Sequence, residues 1–74
     1  MTRELLNKLP QKVRDEIERL RGEYKKGVDA DDPRYWITRR ENVRFVVRGY
    51  LTGLRDAGLI TERERQILTV YTTV

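Results

Sequence analysis

Apolar residues recur along this chain at the spacings of α-helices. The clearest stripe is Val13, Ile17, Leu20 and Tyr24, at steps of four, three and four, which predicts a helix over about 10–26 with one narrow apolar edge. Pro10 suits its first position, where a missing N–H costs nothing. A shorter helix is expected before it, over about 3–8, with Thr2 as a candidate cap and Leu5, Leu6 and Leu9 as its apolar edge. Opposite charges flank the main stripe at i and i+4, pairing Lys12 with Glu16, Arg14 with Glu18, Asp15 with Arg19 and Arg19 with Glu23. Each pair is worth about 0.2–0.5 kcal/mol. Against them stands Gly22, which costs up to about 1 kcal/mol relative to alanine, so the helix is expected to fray or end near Arg21 unless Tyr24 carries it on. Two heptads are too few for a free-standing coiled coil. The stripe is therefore expected to pack on the next helix of the same chain, with a homodimer through Val13, Ile17, Leu20 and Tyr24 as the alternative.

Residues 27–33 read as a loop, with Gly27 as a left-handed helix end. Two starts remain open for the third helix: Asp32 as cap with Pro33 following, or Thr38 with Glu41 at capping-box spacing. That helix runs to about residue 57 and should organise the domain. Trp36, Val43, Val46, Val47, Tyr50, Leu54 and Ala57 fall on one face at 100° per residue. Phe45, Gly49, Gly53 and Ala57 form a second line at i+4, where two interior glycines suggest close approach of another helix backbone. The third helix is accordingly expected to lie between the second and the fourth.

The sharpest local signal is Gly58-Leu59-Ile60-Thr61. Gly58 stands where a left-handed C-cap belongs, Leu59 would touch Leu54, and Thr61 with Glu64 forms a capping box. A last helix over about 62–71 should present Ile67, Leu68 and Tyr71, closing a helical hairpin. The tail Thr72-Thr73-Val74 reads as frayed, although it also has the form of a carboxylate ligand for strand-adding domains. Together these elements predict a single all-α domain over 1–74, a compact three- to four-helix fold with a C-terminal helical hairpin.

Composition narrows the functions open to such a domain. In 74 residues there is no cysteine and no histidine. Disulfides and thiolate metal sites are thereby excluded, and the commonest general base and transition-metal ligand are missing. No apolar run reaches membrane-spanning length, and the charged opening Met1-Thr2-Arg3-Glu4 lacks a signal-peptide core, so a cytoplasmic location is expected. Asp29, Asp31 and Asp32 cluster as in a calcium loop, but Pro33, Tyr35 and Trp36 follow where that motif needs glycine and a closing glutamate. No metal or cofactor is expected, and the carboxylates alternate with cations in a way that favours ion pairs over catalysis. The chain reads as a binding module and not an enzyme.

Charge is the strongest functional signal. Residues 34–55 carry six arginines against the single acid Glu41, in a chain of net charge +4. Arg40, Arg44, Arg48 and Arg55 fall within about 80° of one another on the helical wheel. Such a row suits bidentate contact with carboxylates or phosphates. Phe45 lies off the core face and is the best stacking candidate among Tyr35, Trp36 and Phe45. The candidate contact set is Arg40, Arg44, Phe45, Arg48 and Arg55, taking a protein partner first and nucleic acid as the alternative.

Two local resemblances add to this picture. Residues 60–68, ITERERQIL, resemble the opening helix of the LuxR-type helix–turn–helix output domain. The DNA-reading helix of that family has no counterpart before Val74, so only the capping box is carried over. Residues 50–68, YLTGLRDAGLITERERQIL, look like the short C-terminal (SHOCT) helical hairpin in Leu51, Leu54, the Gly58-Leu59-Ile60-Thr61 turn, Glu64 and Leu68. That family usually has an aromatic residue where this chain has Arg65. The resemblance implies a packed hairpin in a protein-interaction setting. In overall style the chain also resembles small accessory proteins of bacterial mobile elements and phages, some of which inhibit host defence nucleases by occluding a surface, as anti-CRISPR proteins do.

Overall fold

The computed structural model describes residues 2–28 and 33–73, with the side chains at 27, 28 and 33–37 excepted. Four helices follow one another: α1 (Thr2–Asn7), α2 (Gln11–Val28), α3 (Pro33–Asp56) and α4 (Glu62–Thr72). No strand occurs among the described residues. At 1.5 Å per residue α3 is about 36 Å long, and it sets the long dimension of a body measuring 38 × 20 × 19 Å. No helix among the described residues is long and apolar enough to cross a membrane.

The α2 stripe closes the core as its spacing implies. Val13, Ile17, Leu20 and Tyr24 are all buried, and Leu5 and Leu9 from α1 and its turn join them. Covered by their own chain, those four residues offer nothing to a second copy, so the homodimer drawn through them does not fit this fold. Thr2 lies inside α1 and does not cap it. Pro10 precedes α2, its carbonyl accepting from Val13 and Arg14 at 3.0 and 3.1 Å, and so takes the cap position. The helix neither frays at Arg21 nor ends at Gly27 but runs to Val28, held by burial of Tyr24 beyond Gly22. Its expected i,i+4 ion pairs are replaced by others. Arg19 reaches back one turn to Glu16 at 2.5 Å, Arg14 donates to Gln11, and Glu23 is taken by Arg39 of α3.

α3 begins at Pro33, which settles its start in favour of the earlier of the two signals. Its buried side is Val43, Val47, Leu51 and Leu54. The face expected for it was rotated too far: Leu51 belongs in the core, Val46 is 52% exposed and Ala57 is exposed. The line of Phe45, Gly49 and Gly53 faces solvent, and a Cβ built at either glycine would meet nothing within 4 Å. No second backbone approaches there among the described residues. Nor is α3 the filling of a sandwich, because α2, α3 and α4 each pack on the other two, with α1 resting on α4. The Tyr71 hydroxyl of α4 donates to Glu18 of α2, and Arg21 lies 4.4 Å over the Tyr71 ring. The Tyr35 and Trp36 side chains, the Asp29, Asp31 and Asp32 cluster and the Asp32 cap lie outside the described residues.

The hairpin turn forms almost as its residues specify. Gly58 has φ +79°, its N–H reaches Arg55 O at 3.0 Å, and Leu59 N reaches Leu54 O at 3.0 Å, which is the Schellman pattern. The apolar plug is Ile60, which is buried, while Leu59 stays half exposed. Thr61 Oγ1 accepts from Glu64 N at 3.1 Å and Glu64 Oε1 accepts from Thr61 N at 2.8 Å, completing the capping box. Leu68 is fully buried, with Ile67 and Tyr71 partly so. The tail does not fray at Thr72. That residue is helical and buried, its hydroxyl returning to Leu68 O at 2.6 Å, so it does not offer an extended strand-adding ligand.

Candidate binding surface

The outer side of α3 gathers what the core leaves over. Phe45 is 73% exposed, the largest such value among the exposed large apolar side chains, and Val46 stands beside it. Gly49 and Gly53 continue the surface as bare, open backbone. Glu41, Arg44 and Arg48 flank Phe45 and enclose a shallow hollow of about 180 Å³ with it. A long amphipathic helix produces this arrangement unaided, since a stripe at i, i+4, i+8 and i+11 buries one side and presents the opposite one.

The arginine row divides once its partners are seen. Arg40 and Arg44 lie against the buried Tyr24, at 4.8 and 5.8 Å from its ring centroid, and Arg44 Nη2 hydrogen-bonds Tyr24 Oη at 3.0 Å. That bond to Tyr24, and then electrostatic attraction to the same side chain, raises the Arg44 pKa. Arg55 is tied to Glu62 at 2.6 Å and Asp56 at 3.3 Å, and its pKa rises for the same kind of reason, Glu62 first. Glu62 is also gripped by Arg65, through Nε at 2.7 Å and Nη2 at 2.6 Å. Hydrogen bonds from Arg65 first and Arg55 second hold the Glu62 carboxyl well below the usual carboxylate range. Arg48 alone of the row is exposed with no hydrogen bond or ion pair to the described residues. So Arg40 and Arg55 brace the fold, and Arg44, Phe45 and Arg48 stay together at the surface.

Residues outside the expected set complete this surface. Val46 joins Phe45, and Arg65 and Thr69 of α4, with Thr73 at its C-cap, stand across a groove from Arg44 and Arg48. The signal for them lay in the turn. A hairpin reversing at Gly58 brings residues at comparable distances on either side together, which sets Arg48 near Thr69 and Arg44 near Thr73. A second groove of about 220 Å³ between α2 and α3 is spanned by the Arg39–Glu23 ion pair, whose hydrogen bond lowers the Glu23 pKa. Among the described residues no cluster of three acidic side chains could hold a metal ion.

No protein-family model matches this chain, no curated protein is significantly similar to it, and no solved structure matches it.

Proposed function

We infer that this protein is a non-enzymatic, cytoplasmic protein-binding module, an accessory or inhibitor that works by occupying a partner's surface. The observation that carries this reading is Phe45, 73% exposed in the middle of the longest helix with Val46 beside it and Arg44 and Arg48 at its rim. An exposed aromatic bordered by arginines is the composition of interface hot spots. The two bare glycines next to it let a partner's side chains approach the α3 backbone closely. A phage or mobile-element inhibitor that masks a host defence nuclease is the kind of protein such a face would serve.

The test is capture from bacterial lysate with the tagged protein, with nuclease present throughout. A defined protein is expected to be retained by the wild type and lost with Phe45→Glu, while the helical circular dichroism spectrum is unchanged. Retention that ignores Phe45→Glu, or that vanishes with nuclease in the wild type, defeats the reading.

A further inference from the structure

Three arginines from two helices line one groove. α3 supplies Arg44 and Arg48, one turn apart, and α4 supplies Arg65 and, a turn on, Thr69, with Thr73 capping its C-terminus. They line a hollow of about 440 Å³, and among the described residues no acidic side chain is in its walls. The cations are held from outside it. Both Glu62 oxygens accept from Arg65 Nε and Nη2, which leaves Nη1 uncommitted. Arg44 Nη2 is fixed by Tyr24 Oη and Nη1 lies 3.6 Å from Glu41, which leaves Nε uncommitted. Arg48 has all its donors available. The threonine hydroxyls donate back to the carbonyls of Arg65 and Thr69, at 2.8 and 2.7 Å, and so form small polar walls rather than donors toward a ligand.

We propose that this groove is a phosphate-binding site, formed by Arg44, Arg48 and Arg65. A planar carboxylate holds its two oxygens in one plane, so a single guanidinium fork can engage both. A tetrahedral oxyanion carries oxygens in several directions, and guanidiniums arriving from two different helices can meet it together. Glu41 and Glu62 moderate the local charge without lining the groove, so the site selects a localised, multiply charged group over a diffuse acidic surface. The phosphate can be free, as in a polyphosphate, or carried on a nucleic-acid strand. The site shares Arg44 and Arg48 with the rim of the Phe45 hollow but adds Arg65 of α4 and leaves Phe45 out, so it goes beyond the protein-binding reading.

The ¹⁵N-labelled protein is titrated at low salt with pyrophosphate, with an oligothymidylate and with polyglutamate of matching length, and the amide and arginine Nε resonances are followed. Pyrophosphate is expected to move Arg44, Arg48, Arg65, Thr69 and Thr73 before all others. Arg48→Ala, which removes an exposed and partnerless side chain, should weaken its binding by at least about tenfold with melting temperature unchanged. Tighter, steeply salt-dependent binding of oligothymidylate at the same resonances assigns the phosphate to a strand. Pyrophosphate binding without it assigns the phosphate to a free ligand. Polyglutamate moving the same resonances with equal affinity overturns the phosphate assignment, as does no movement in the groove with either phosphate. Phe45→Ala, which adds no charge beside Arg44 and Arg48, should leave pyrophosphate binding intact, which separates failure of this site from failure of the protein-binding face.

Discussion

The two sides of α3 are built by opposite rules. Toward α2 and α4 the helix presents Val43, Val47, Leu51 and Leu54, each at most 8% exposed. Toward solvent it presents Phe45, Val46, Gly49 and Gly53, an apolar pair and two open glycines. The inner side follows from folding alone, because burying branched apolar side chains is what holds a small domain together. The outer side works against folding. Two exposed interior glycines forgo up to about 1 kcal/mol each relative to alanine, and Phe45 keeps its ring in water. Nothing among the described residues recovers those losses, which is the ground for the proposal that the outer side meets a partner.

The comparison breaks most visibly at Leu51, 1% exposed at the centre of the inner side. Leu51→Ala should lower stability by about 2–5 kcal/mol, read as a shift of the urea midpoint. A loss near zero would mean the inner side does not carry the fold. A finer contrast sets the glycines against each other. Gly58→Ala should cost about 1–2 kcal/mol, because its φ of +79° is strained for any residue with a Cβ. Gly49→Ala and Gly53→Ala should each stabilise by up to about 1 kcal/mol, since the added methyl meets open space. Destabilisation by the latter pair would reveal a packing role on the outer side.

The smallest effect concerns Glu62. Its folded-state carboxyl titrates below the ordinary 4.5 because Arg65 and Arg55 hold it ionised. Its contribution is therefore complete above about pH 4.5 and is lost as the pH falls below that. Glu62→Gln should lower stability slightly at neutral pH and flatten the acid limb of the stability profile. Identical acid limbs in both proteins would contradict the pairing.

Where the chain punctuates itself, its structure was legible. The α2 stripe, the Gly58 turn and the Thr61–Glu64 box each rest on residues close in sequence, and each forms. The inner side of α3 was misjudged by part of a turn, because Val46 and Leu51 are equally apolar and only the positions of α2 and α4 decide between them. The glycine line misled for a related reason: a gap in side chains looks the same whether it receives a neighbour or faces solvent. Arg44, Phe45 and Arg48 were legible as a surface group from their wheel positions. The engagement of Arg40 with Tyr24, and of Arg55 with Glu62, was not, since each depends on a helix elsewhere in the chain. Arg65 lies outside the arginine row of α3, and only the turn at Gly58 brings it to the same groove as Arg44 and Arg48.

The central claim is that the outer side of α3 is the face that meets a partner. Site-specific photo-crosslinking tests it most directly, with a photoreactive phenylalanine analogue placed at Phe45 and, in a second protein, at the exposed Lys25 of α2. In nuclease-treated bacterial lysate, position 45 is predicted to give one discrete protein adduct and position 25 none. No adduct at position 45, or the same adducts from both positions, would contradict the account.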